Sequence, residues 1–117
     1  MKFSKKGSIY KIIRITGSQD NILGVMFANN QNKISNSIEV IEWQFPNLTE
    51  KPIQTSKQEV MEQVLDGLHF TNLALGTSYR LEKIYFSPHA RSTNRFYRGL
   101  ISQLIRHYHA GNPFDET

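Results

Sequence analysis

The chain has 117 residues, of which 38% are hydrophobic and 21% charged, and its formal net charge at pH 7 is +4. It contains no cysteine, which excludes disulfides, iron–sulfur clusters and cysteine-ligated zinc. This length and composition predict one globular domain over residues 1–117. We expect a cytoplasmic protein, since the absence of cysteine fits a reducing compartment and the basic N-terminal residues lack the apolar region of a signal peptide. No stretch approaches the roughly 18 apolar residues of a membrane span.

Three strands are predicted in the first half of the chain. Residues 8–16 and 22–28 are rich in β-branched and aromatic side chains, which is typical of strands. The third predicted strand covers residues 37–45, and its second half alternates strictly between apolar and polar side chains. The residues expected to face the core on this strand are Ile41, Trp43 and Phe45.

The first helix is predicted to follow a capping-box pattern formed by Ser56 and Glu59. Gly76 is the expected C-terminal cap. Apolar residues recur between these caps at helical spacing, and we expect Gly67 to bend or break the helix. The apolar residues assigned to this helix are Val60, Met61, Val64, Leu65, Leu68, Leu73 and Leu75.

A fourth strand is predicted over residues 79–86, followed by a second helix. This helix begins near Thr93 and ends at Gly111, and its residues 96–108 have two opposed faces. The apolar face comprises Tyr97, Leu100, Ile101, Leu104, Ile105 and Tyr108.

The predicted order of elements is therefore β-β-β-α-β-α. Three consecutive strands joined by short turns predict an antiparallel meander. The expected fold is α+β, with an antiparallel sheet of about four strands and two amphipathic helices packed on one face.

The charges are distributed unevenly along the chain. Residues 1–14 carry five basic residues and no acid, residues 39–66 carry six acids against two lysines, and residues 87–111 are basic again. These regions either meet in the folded protein and compensate each other, or form a dipolar surface that attracts an anionic partner or a second copy.

The polar face of the second helix concentrates one kind of chemistry on one surface. Guanidinium groups suit bidentate contacts with phosphate or carboxylate, and backbone N–H groups at the helix N-terminus favour anions. The alternative is a solvated face with some arginines paired to the acidic middle of the chain. The candidate anion or partner surface comprises Arg91, Ser92, Thr93, Arg95, Arg98, Arg106 and His109.

Gly99 lies beside this basic face and away from the apolar one. Because a glycine inside a helix costs stability relative to alanine, we expect a close helix–helix or helix–backbone contact at this position, including one across a dimer axis. The alternative is a tolerated glycine without a role.

Familiar catalytic and nucleotide-binding motifs are absent from the sequence. It has no Gly-x-Ser-x-Gly elbow, no Gly-x-x-x-x-Gly-Lys phosphate loop and no Gly-x-Gly-x-x-Gly dinucleotide motif. His107 and His109 would point roughly 200° apart on a helix, so they would not chelate one ion. We therefore expect no catalytic residue, no cofactor and no metal.

Three functions are compatible with these observations. The first is a small non-enzymatic interaction or assembly domain, binding a protein partner or forming a homodimer through the basic helix face. The second is a nucleic-acid-binding accessory protein that uses the same arginines, with binding that weakens steeply as salt rises. The third is a small anionic-ligand binder or enzyme with its site in the loop from Ser87 to Arg95.

Overall fold

The computed structural model describes residues 2–16, 19–28, 38–42, 56–86 and 96–116. Two helices and a six-stranded sheet make up the described chain, which confirms the α+β class. In chain order the elements are β1 (Lys2–Lys6), β2 (Ile9–Thr16), β3 (Gln19–Phe27), β4 (Glu39–Glu42), α1 (Lys57–Leu75), β5 (Leu81–Phe86), α2 (Phe96–His109) and β6 (Asp115–Glu116).

The sheet is mixed, whereas the sequence predicted an antiparallel sheet of about four strands. Its order is β4-β5-β3-β2-β1-β6. The pairs β1–β2, β2–β3 and β3–β5 are antiparallel, while β4–β5 and β1–β6 are parallel. The meander therefore consists of β1, β2 and β3, and β5 lies between β3 and β4. Parallel neighbours need a long connection, and α1 lies in the connection between β4 and β5.

β1 was missing from the prediction because its residues are mostly polar. Its middle residue, Ser4, is buried, and the charged residues at its two ends are exposed. Gly7 joins β1 to β2 with a φ of 59°, a conformation that glycine adopts without steric cost. β1 belongs to the sheet because it pairs with β2 and β6. A strand held by such pairing shows no apolar periodicity from which it could be predicted.

The hydrophobic core lies between one face of the sheet and the two helices. Ile12 pairs with Leu23, and Leu23 pairs with Phe86, so these fully buried residues form a row across three strands. The helices cover this row with residues from both apolar faces. Buried core residues of α1 and α2 are Val60, Val64, Leu68, Tyr97, Leu100, Ile101, Leu104 and Ile105.

The register of β4 corrects the predicted inward residues. Val40 pairs with the buried core residue Ile84, while Ile41 pairs with Tyr85. Successive side chains of a strand point to opposite faces, and Val40 packs against the core, so the prediction that Ile41 faces the core was wrong. Apolar residues lie on both faces of this strand, so a shift of its register by one position exchanges the residues that face the core with those that face away from it. Outside the described residues lie the other two predicted inward residues, Trp43 and Phe45.

α1 has both predicted caps. The Ser56 hydroxyl accepts a hydrogen bond from the Glu59 N–H at 3.2 Å, and Gly76 ends the helix with a φ of 68°. The helix continues through Gly67, so the break considered for this position does not occur. α2 ends before Gly111 as predicted, whereas Thr93, its predicted N-cap, lies outside the described residues.

Candidate functional site

α1 and α2 approach closely at Gly67. They run in the same direction, because their contacts advance together along both helices, from Gln63 with Tyr97 to Gly67 with Ile101. A Cβ atom at Gly67 would lie 2.5 Å from the carbonyl oxygen of Arg98 and 2.5 Å from Cγ2 of Ile101. Such distances are far below van der Waals contact, so a glycine is needed for this spacing. Nearer the N-terminal ends of the helices, the Tyr97 N–H donates to Gln63 Oε1 at 3.0 Å.

An open groove of about 450 Å³ lies between the two helices on the side away from the sheet. We call it the outer groove. It is lined by Gly67, Phe70, Arg98, Gly99 and Ser102.

Arg98 is held in the outer groove by two neighbours on α1. Its guanidinium carbon lies 4.3 Å from the centroid of the Phe70 ring, a cation–π geometry. Its Nε lies 3.1 Å from Oδ2 of Asp66. The side chain is 28% exposed, and an ion pair at such a surface contributes at most about 1 kcal/mol. For this arginine, the acidic middle of the chain and the basic C-terminal region do meet.

Two large apolar side chains of α1 are exposed beside the outer groove. Phe70 is 53% exposed and Leu73 is 67% exposed. The sequence predicted that α1 continues through Leu73 and Leu75, as it does, but it did not indicate which face Leu73 occupies. Leu73 follows the buried Val64 by nine positions, which is about 900° at 100° per residue, so it points to the opposite side of the helix. Leu65, one of the apolar residues that the sequence placed at helical spacing in α1, is also exposed.

The predicted basic surface does not form one cluster among its described members. Arg98 lines the outer groove, and Arg106 is exposed further along α2, where its Nε donates to the Ser102 hydroxyl at 3.4 Å. His109 lies at the C-terminal end of α2, with its Nδ1 2.9 Å from the Tyr79 hydroxyl. Outside the described residues lie Arg91, Ser92, Thr93 and Arg95, and with them the loop of the third hypothesis.

Gly99 is exposed, and a Cβ atom added to it would meet nothing within 4 Å. No described residue of the chain therefore makes the close contact predicted at this position. The close glycine contact between the helices is at Gly67 instead. A contact of Gly99 across a dimer axis stays a prediction.

Aromatic rings fill the end of the fold where α1 and α2 end. The Tyr108 ring centroid lies 4.6 Å from that of Phe27, 5.0 Å from that of Tyr10 and 5.6 Å from that of Tyr79. Burial, followed by the proximity of Tyr10 and Tyr79, raises the pKa of the Tyr108 hydroxyl, and nearby Lys5 opposes this shift. Tyr108 is therefore an uncharged packing residue at neutral pH.

Other features of the described residues bear little on function. They include no group of three or more His, Asp or Glu residues placed to hold a metal ion. Neither α1 nor α2 is long and apolar enough to cross a membrane.

No family model, curated protein or solved structure matches this chain. Function is therefore inferred from the geometry of the outer groove and its surroundings.

Proposed function

We propose that this protein is a small, non-enzymatic interaction domain of the cytoplasm that binds a protein through the outer surface of its helix pair. The observation that carries this proposal is the exposure of Phe70 and Leu73 beside the open outer groove. We call this surface the outer helix face. Its residues are Phe70, Leu73, Arg98, Gly99, Ser102 and Arg106.

The composition of the outer helix face suits a protein contact. Complete burial of a Phe or Leu side chain contributes about 1.5–3 kcal/mol, and aromatic and arginine residues carry much of the energy of protein interfaces. Arg98 is already positioned by Asp66 and Phe70, which lowers the entropy that it loses on binding. Gly99 adds no side chain, so a partner can approach the backbone of α2.

A nucleic-acid partner is less well supported by the same residues. Phosphate contacts would use Arg98 and Arg106, but the Asp66 carboxylate beside Arg98 repels a phosphate group. The exposed Leu73 would contribute nothing to a backbone contact that depends on charge.

Site-specific photo-crosslinking in living cells tests the proposal. A photoreactive phenylalanine analogue replaces Leu73, and the same analogue replaces Ala28 in a matched control. Ala28 is also exposed but follows β3 and lies outside the outer helix face. We expect a protease-sensitive adduct of discrete mass at Leu73 and none at Ala28.

Two outcomes would contradict this function. One is the absence of a protein adduct at Leu73 beyond the level seen at Ala28. The other is a nuclease-sensitive adduct, which would favour the nucleic-acid hypothesis. In that case a fluorescent mixed-sequence oligonucleotide would bind the purified protein at about 100 mM salt and dissociate at about 500 mM.

A further inference from the structure

We infer that the partner of the outer helix face is a second copy of this chain, related to the first by a twofold axis that runs parallel to α1 and α2. This inference rests on the proposed function and names its partner. It follows from the charges of the two helices, from their direction and from the position of Gly99.

The two helices carry opposite charge. The described charges of α1 are Glu59, Glu62 and Asp66 against Lys57, whereas α2 carries Arg98 and Arg106 with no acid. One acid–base pair, Asp66 with Arg98, is already formed within a copy. The imidazoles are His69 on α1 and His107 and His109 on α2. A surface with an acidic half and a basic half is complementary to its own copy, as a twofold contact requires.

The direction of the helices selects the orientation of the axis. A twofold axis parallel to them places α1 of each copy over α2 of the other, so that Asp66 of each copy, which lies at the level of Arg98, faces Arg98 of the other copy. An axis perpendicular to them, in the plane of the contact, would place α1 over α1 and α2 over α2. Like charges would then face each other, which is unfavourable. The charge pattern therefore favours the parallel axis.

The shape of the outer helix face agrees with this arrangement. Within one copy, Gly67 and Phe70 lie at the level of Arg98 along the helix pair. Rotation about a parallel axis leaves the position of each residue along the helices unchanged. Phe70 of one copy therefore meets α2 of the other near Gly99, where no side chain blocks the ring. Leu73 lies further along and meets the aliphatic stem of Arg106. Each contact occurs twice.

The surface area that each copy offers for contact limits the affinity of the dimer. α1 has 19 residues, a length of about 28 Å at 1.5 Å per residue. With a second helix about 8–10 Å away, each copy offers on the order of 500 Å², below the usual size of a stable interface. We therefore expect a reversible dimer with a dissociation constant in the micromolar range.

Sedimentation of the purified protein from about 1 µM to about 500 µM tests for the second copy. We expect a monomer–dimer equilibrium that Gly99→Gln weakens by at least about tenfold, since the new side chain blocks the approach. The protomer tolerates this change because nothing lies within 4 Å of a Cβ at Gly99. The control is Ala28→Gln, which introduces the same side chain at an exposed position after β3, outside the outer helix face, and should leave the equilibrium unchanged. A monomer throughout, or equal weakening by both variants, overturns the inference.

Spin-label distances test the direction of the axis. The chain has no cysteine, so Gln58→Cys, Glu62→Cys and His69→Cys each give one label at an exposed position of α1. Gln58 and His69, the first and last of these positions, are about 16 Å apart along α1. A parallel axis gives nearly equal distances between copies for all three labels. Distances that differ widely among the labels mean a perpendicular axis and overturn the inference.

Failure of this inference can be distinguished from failure of the proposed function. A monomer at every concentration, with a Leu73 adduct to a different protein in cells, overturns the second copy and leaves the interaction domain standing. A Leu73 analogue that forms no protein adduct overturns both.

Discussion

Gly67 and Gly99 lie on neighbouring helices, and an added methyl group has opposite consequences at the two positions. At Gly67 the new Cβ would lie 2.5 Å from the Arg98 carbonyl oxygen and from Ile101. Overpacking of this kind costs about 1–3 kcal/mol, which outweighs the roughly 1 kcal/mol by which alanine favours a helix. We therefore expect Gly67→Ala to lower the free energy of unfolding, measured by urea titration.

Gly99→Ala is the matched control for that experiment. Its Cβ meets nothing within 4 Å, so the substitution changes stability only through the higher helix propensity of alanine. The free energy of unfolding of the dilute protein should rise by up to about 1 kcal/mol. If both variants changed stability in the same direction, the helices could not be packed as closely as the structure places them.

Tyr108 makes stability depend on pH in the alkaline range. Its folded-state pKa is raised, chiefly by burial, above the value of about 10 that it has when unfolded. The uncharged hydroxyl therefore contributes its full stabilisation below about pH 10, and this contribution is lost as the pH rises through the folded pKa. Above pH 10, the wild type should lose stability more steeply than Tyr108→Phe in thermal unfolding. Parallel curves for the two proteins would contradict this role.

At the scale of the elements, Asn72 organises the connection from α1 to β5. Its Nδ2 donates to the Tyr79 carbonyl at 3.1 Å. Its Oδ1 accepts from the Tyr79 N–H at 3.1 Å and from the Thr77 hydroxyl at 2.8 Å. This one side chain therefore satisfies backbone groups that neither the helix nor the sheet pairs.

Asn72→Ala should reduce the free energy of unfolding by about 1–3 kcal/mol, since each bond contributes about 0.5–1.5 kcal/mol and backbone groups lose partners. Thr77→Val removes only the hydroxyl bond to Asn72 and should cost less than half as much in the same chemical denaturation assay. Equal losses for the two variants would show that the backbone contacts of Asn72 add nothing.

The helices were more predictable than the strands. The apolar faces of both helices meet one core, so a period of 3.6 residues was visible for most of their length. β6 has only two residues and depends on contacts that lie outside its own sequence. His107 stacks on Phe3 of β1 with ring centroids 3.7 Å apart. Its Nε2 lies 2.8 Å from the carbonyl oxygen of Pro113, just before β6. Such contacts between distant segments leave no local pattern.

At the scale of the whole molecule, the strand order could not be read from the sequence. Strands that follow one another usually pair, which favoured a meander that continued into β4. Instead β5 inserts between β3 and β4. The chain reaches β5 only after α1, so this pairing depends on how the helix crosses the sheet and not on any residue of β4.

The candidate site was predicted in part. Arg98 and Gly99, two of the candidate residues, line the outer groove, whereas a functional role of the basic surface stays a prediction. The exposed Phe70 and Leu73 were missed, although the angle between Leu73 and Val64 on a helical wheel carries the signal. The partner of Arg98 was not predictable, because Asp66 belongs to another helix and only the packing at Gly67 brings them together.

Photo-crosslinking from Leu73 in living cells, with Ala28 as the control position, tests whether the outer helix face binds a protein. We expect a discrete protein adduct that forms from Leu73 and not from Ala28. Equal yields from the two positions, or an adduct that nuclease removes, would contradict it.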